Sequence, residues 1–183
     1  MIHPTAFVID HSAAMRDSLG AMLKDLGLVV CGHSPNGASA LESLRLLKPD
    51  LILLDILIPG GTGIETISNI RQSVPAAKVI VLTSLSDRDM VLECRRLGAA
   101  DYVLKPFEWL ALKKRVTRVV RSMSGERLAL AGVAPAGLAR VSSGSSFFED
   151  ILLDARRDKA AFIISQPNMK QGDIQEMFDE LSG

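Results

Sequence analysis

The chain has 183 residues, 48% of them hydrophobic, and a formal net charge of zero. That leaves room for one full domain plus a remainder of about 60 residues, and the apolar fraction excludes wholesale disorder. Charge balance removes the simplest argument for a nucleic-acid partner, although residues 1–122 hold 15 Lys/Arg against 12 Asp/Glu and residues 123–183 hold 6 against 9.

Apolar runs of strand length alternate with segments of helical periodicity. Ala6–Ile9 is the first run, followed by a stripe of Met15, Leu19, Met22, Leu23 and Leu26. Leu28–Cys31 precedes Leu41, Leu44 and Leu47; Leu51–Leu54 precedes Ile64, Ile67, Ile70 and Val74. Lys78–Leu82 precedes Met90, Val91, Cys94 and Leu97, and Tyr102–Leu104 precedes Leu112, Val116, Val119 and Val120. Short continuous apolar runs suit strands buried on both faces, and the stripes repeat at three- and four-residue spacing. Gly27, Gly32, Pro49, Pro59-Gly60-Gly61, Pro75 and Gly98 punctuate the joints. Five β/α repeats predict an α/β fold, a parallel sheet wound on both faces by helices.

Cys31 and Cys94 lack Cys-x-x-Cys spacing and neighbouring histidines, which reads as two small core residues in a reducing compartment. No basic stretch leads into a long apolar run at the N-terminus. The most apolar segment, Leu51–Ile58, is short and interrupted by Asp55. The expectation is a cytoplasmic protein without membrane insertion.

Beyond Met123 the texture changes, and residues 128–146 are mostly Ala, Gly and Ser. The expected organisation is a domain over 1–122, a linker over 123–146 and a small helical, acidic C-terminal extension over 147–183. Asp173 suits the N-cap of a last helix carrying Ile174, Met177, Phe178 and Leu181 on one face.

The chemistry sits where the apolar strands stop. Asp10 follows the first run, Asp55 the third, Thr83 the fourth and Lys105 the fifth. In open α/β sheets the ligand crevice lies at the carboxyl ends of the strands, so parallel strands would bring these four to one rim. A buried carboxylate costs several kcal/mol unless it is paired or binds a metal.

These residues stand in the segments FVIDHSAAMR, PDLILLDILIPGGTGIE, KVIVLTS and GAADYVLKPF. From Phe7 to about Arg121 the chain resembles the response-regulator receiver family. The resemblance implies a flavodoxin-like sheet of order 2-1-3-4-5, with Asp55 as phosphoacceptor from a histidine kinase. It implies Lys105 as the cation paired with the phosphoryl group, and Thr83 with Tyr102 as the switch pair. A magnesium ion would be held by Asp10, Asp55 and the Leu57 carbonyl. Such a protein is a signalling switch and not an enzyme, with slow self-dephosphorylation at most.

The pattern departs from the family at one ligand. Arg16 fixes the alignment and places His11 where a second acidic residue normally ligates the metal. Magnesium prefers oxygen ligands and imidazole suits softer ions. Three outcomes stand open: weak magnesium binding, replacement by manganese or another divalent ion, or a phosphorylation-independent scaffold. Leu57 and Leu85 occupy the positions that in this family help place the hydrolytic water. Neither can hydrogen-bond it, which predicts slow dephosphorylation.

The tail offers no turn glycine ahead of a basic recognition helix, and its nine acids would repel phosphates, so DNA binding is not expected. Three readings remain for it. The face of Ile174, Met177, Phe178 and Leu181 docks in the groove of an unknown protein target, or folds back on the basic fifth helix with its Lys113, Lys114, Arg115 and Arg118, or is a packed extension. A homodimer through the fourth and fifth helices is common in the family.

Overall fold

The structure is a computed structural model that describes residues 3–57, 63–85 and 88–130. The expected linker from 131 onward and the extension with Ile174, Met177, Phe178 and Leu181 lie outside the described residues, as does Pro59-Gly60-Gly61. In chain order the elements are β1 (Thr5–Ile9), α1 (Ala13–Asp25), β2 (Val29–Ser34), α2 (Gly37–Leu47), β3 (Leu51–Asp55), α3 (Gly63–Ser73), β4 (Lys78–Thr83), α4 (Arg88–Arg96), β5 (Asp101–Leu104) and α5 (Trp109–Leu130). All pairings are parallel and the sheet order is β2-β1-β3-β4-β5. The doubly wound fold is the one expected.

Alternation along each strand divides the core between the two faces of the sheet. Phe7, Ile9, Ile52, Leu54, Val79 and Val81 pack with residues of α2, α3 and α4 on one face. Ala6, Val8, Leu51, Leu53, Ile80 and Leu82 pack with α1 and α5 on the other. Because both faces are covered, the central strands are apolar throughout and carry no polar–apolar alternation.

Three expectations are corrected. Gly32 is not a joint but lies inside β2, opposite Phe7, where a Cβ would stand only 2.6 Å from the Phe7 ring. Leu47 is 45% exposed at the end of α2, and Ala40 is buried with Leu44 instead. The last helix continues to Leu130, into the segment expected as linker. Of the cysteines, Cys94 is fully buried and its thiol is pushed up to about 11 by desolvation. Cys31 is half-buried, its thiol also raised by burial, and it donates to the Ala6 carbonyl at 3.3 Å.

Local signals set the helix ends near the sheet's carboxyl edge. Ser12 caps α1 by accepting the Met15 N–H, and Asn36 caps α2 by accepting from Ser39. Gly63 opens α3 against the preceding loop, where a Cβ would collide with the backbone and side chain of Ile56.

One polar cluster in the core had no sequence expectation. Asp101 at the start of β5 is fully buried; its Oδ1 accepts from Arg115 at 2.7 Å and from the Tyr102 N–H at 2.8 Å, and its Oδ2 accepts from Arg118 at 2.8 Å. Arg115 is 6% exposed, so it is not part of a basic helix surface. Removing the anion leaves that guanidinium buried without its carboxylate. Asp101→Ala should therefore cost about 3–5 kcal/mol in urea unfolding at unchanged m. Arg118→Ala, at the exposed end, should cost under about 1 kcal/mol. Equal losses in the two variants would refute this account.

Candidate functional site

β1 and β3 are neighbours, with Ile9 opposite Leu54, so the next residues, Asp10 and Asp55, emerge side by side. β3 pairs Asp55 with Leu82 of β4, which places Thr83 one residue further along the same rim. Lys105 follows β5 and is tied to Thr83 by its own N–H, which donates to the Thr83 carbonyl at 2.7 Å. Asp10, Asp55, Thr83 and Lys105 thus share one edge because four parallel strands end there together.

Both carboxylates are buried, at 1% and 2% exposure, and the Lys105 ammonium bridges them, 2.8 Å from Asp10 Oδ2 and 3.0 Å from Asp55 Oδ2. The remaining oxygens face backbone donors: Asp10 Oδ1 accepts from Ser12 N–H at 2.8 Å, and Asp55 Oδ1 accepts from Leu57 N–H at 2.9 Å. Two carboxylates against one ammonium leave a net negative charge, which in a partly dry site attracts a cation or an electrophile.

His11 stands beside them, half-exposed, with Nδ1 3.4 Å from Asp55 Oδ2 and 3.8 Å from Asp10 Oδ1. One donor atom from each of Asp10, His11 and Asp55 lies within 4.8 Å of the others. Bond lengths of about 2.0–2.2 Å put opposite ligands of a small divalent ion roughly 4.2 Å apart, so the set fits such an ion after slight closure. The donor chemistry is two hard oxygens and one borderline nitrogen.

The turn that carries Asp10 and His11 is held by Arg16, whose Nη1 donates to both of their carbonyls, at 2.8 and 3.1 Å. Sequence reasoning used Arg16 only for alignment and missed its role, as it missed the anchoring of the Asp10 carboxylate by Ser12. A serine just ahead of a helical stripe was the available signal.

Thr83 and Tyr102 meet through Leu85. The Thr83 Oγ1 accepts from the Leu85 N–H at 3.2 Å, and the Tyr102 hydroxyl donates to the Leu85 carbonyl at 2.8 Å. Tyr102 is 1% exposed, so its ring lies inside the core. The Leu57 side chain is 44% exposed on the rim, whereas Leu85 packs partly buried against the core.

Comparison with known proteins agrees with this geometry. Residues 6–117 match the family described as the response regulator receiver domain. The chain is 37% identical over 101 residues to chemotaxis protein CheY of Thermotoga maritima, a match spanning 55% of this chain and 84% of that one. Among solved structures, the response regulator domain of Thermotoga maritima CheB superposes with a TM-score of 0.60 at 27% identity, over 67% of this chain and 98% of that one. The BeF3-activated DrrB receiver domain gives 0.59 at 29%, over 66% and 99%. Among the described residues no helix is long and apolar enough to cross a membrane. Receiver domains are signalling proteins that generally accept phosphoryl groups, bind Mg2+ at acidic residues and interact with histidine kinases. A family match over residues 6–117, more than half of the chain, on a five-stranded sheet whose rim gathers Asp10, Asp55 and Lys105, means that this protein belongs to the response regulator receiver family.

Proposed function

We propose that Asp55 accepts a phosphoryl group from the phosphohistidine of a histidine kinase and that the chain responds by changing its contacts with another protein. What supports this is the Lys105 ammonium within 3.0 Å of both buried carboxylates, a cation held where phosphoryl charge would develop.

A carboxylate oxygen of Asp55 attacks phosphorus, and the P–N bond to the donor imidazole breaks with its electron pair returning to that nitrogen. Lys105 then serves a phosphoryl oxygen, and the Thr83 hydroxyl turns to another. Positioning and charge neutralisation carry such a step, since little covalent work falls to the protein. A divalent ion, when bound, offsets phosphoryl charge. Asp10, Asp55, the Leu57 carbonyl and His11 are the residues to hold it. Because His11 offers nitrogen, magnesium should bind weakly, and manganese or another divalent ion that accepts nitrogen should do better.

The switch follows from the Leu85 peptide. If the Thr83 hydroxyl moves to the phosphoryl group, the Leu85 N–H loses its partner, and the Leu85 carbonyl that holds Tyr102 moves with it. Tyr102 lies next to Asp101, which ties β5 to α5, so the change reaches the outer surface of the domain.

A second reading, a scaffold that never takes a phosphoryl group, is favoured by one observation: an exposed imidazole stands in the cation site in place of an acid. Intact mass after incubation with a small phosphodonor separates the two. A single phosphoryl adduct that needs metal, is larger with manganese than with magnesium, and is absent in Asp55→Ala is expected. No adduct with any metal would leave the scaffold. The lifetime of the adduct is a further test, because neither Leu57 nor Leu85 can hydrogen-bond an attacking water. Loss of the adduct should be slow, and Leu57→Asn should hasten it; a wild-type half-life of seconds at room temperature would sink this point.

A further inference from the structure

The outer surface of α5 is a basic stripe with an apolar end. Residues 109–123 contain five Lys/Arg and no Asp/Glu. Arg115 turns inward to Asp101, and Lys113 lies 3.5 Å from Asp25 of α1. What remains outward is Leu110, Lys114, Arg118 and Arg121, spaced by four, four and three residues and therefore on one face. Trp109 and Leu110 at its start are 42% and 64% exposed, and the Trp109 ring packs edge-on against Phe107 with centroids 5.5 Å apart. Arg118 reaches Asp101 on β5, the outermost strand, so the stripe borders that edge of the sheet. Large apolar side chains beside a run of like charge form a surface suited to an acidic amphipathic partner.

The chain itself carries one. The segment Asp173–Leu181 reads DIQEMFDEL, with four acids and no base. Ile174, Met177, Phe178 and Leu181 recur at the spacing of one helical face, with Asp173, Glu176 and Glu180 beside them. About 40 residues separate this segment from Leu130, and even at the helical rise of about 1.5 Å per residue they would cover about 60 Å. The 22 residues of α5 span about 33 Å, so the connection is long enough for a return along the helix.

We infer that Asp173–Leu181 docks on the outer face of α5. Its apolar side chains cover Trp109 and Leu110, and its carboxylates meet Lys114, Arg118 and Arg121. The contact needs no phosphoryl group, and its failure would leave the role of Asp55 untouched. It commits the apolar face of the segment to this chain's own domain; a groove on another protein is the alternative occupant.

Trp109 is the chain's single tryptophan and reports on the contact directly. In the full chain, acrylamide quenching of its fluorescence should rise about twofold when docking is broken, because covering a half-exposed ring excludes most of its solvent contact. That rise is expected for Met177→Ser with Phe178→Ser, for Lys114→Glu with Arg121→Glu, and for Asp179→Lys with Glu180→Lys. Combining the two charge reversals should restore protection. The quadruple variant, with circular dichroism, separates a lost contact from a lost fold. Quenching unchanged by the tail substitutions, or no restoration by the combined reversal, overturns the inference. Protection that grows with protein concentration overturns it too, since the segment would then be covering a second copy.

Discussion

Everything at the rim depends on the Lys105 ammonium lying 2.8 and 3.0 Å from two carboxylates that the sheet forces inside. Asp10 and Asp55 are buried because they terminate adjacent central strands whose other residues belong to the core. Without a cation each would carry a desolvation cost of several kcal/mol. The cation comes from the far edge of the sheet, past β4, so the contact exists only if the strand order is β2-β1-β3-β4-β5. Chemistry and topology are here the same constraint. The ammonium also leaves one negative charge uncompensated, and that residue of charge makes the site attractive to an electrophile and a divalent ion while the fold remains tolerable.

Two neighbouring residues of β5 link this rim to the outside. Tyr102 belongs to the core face shared with α2, α3 and α4, and its hydroxyl reaches the Leu85 carbonyl in the loop after β4. Asp101 takes Arg115 and Arg118 of α5. Strand alternation sends the two side chains to opposite sides, and the Tyr102 N–H donating to Asp101 Oδ1 joins them at the backbone. A shift of the Leu85 peptide therefore has a short path to the helix that carries the outward basic stripe. The path consists of hydrogen bonds between adjacent groups, the contiguous connection through which the proposed switch would act.

The fold was legible because its signals were redundant. Apolar runs, helical stripes and punctuation agreed at nearly every element, and the strand-end residues Asp10, Asp55, Thr83 and Lys105 could be placed on one rim from parallel pairing alone. Gly32 was misread because glycine marks both turns and close approach, and only the position of the Phe7 ring tells which. Leu47 was misread because a stripe at helical spacing does not say where the neighbouring layer stops. The Asp101 cluster stayed hidden for another reason. A charged residue at a strand start and basic residues on a later helix look like surface until the packing of α5 on β5 shows them to be partners. The bracketing of Leu85 by Thr83 and Tyr102 uses main-chain groups, which no side-chain pattern announces.

His11 is where pattern and chemistry part. With an acid there, three carboxylates against one ammonium would hold a hard divalent ion chiefly by charge. An imidazole gives up the negative charge of an acid and supplies a nitrogen 3.4 Å from Asp55 Oδ2. The loss weakens attraction for every divalent ion alike, because it is Coulombic. The gain is selective, since nitrogen ligation favours borderline ions over magnesium. If a divalent ion is held here as proposed, the expected net effect is lower overall cation affinity and a changed order of preference. Asp55 and Lys105 stay within 3.0 Å of each other at the rim, and Arg16 and Ser12 brace the turn that presents Asp10 and His11 to them, whichever ion that imidazole favours.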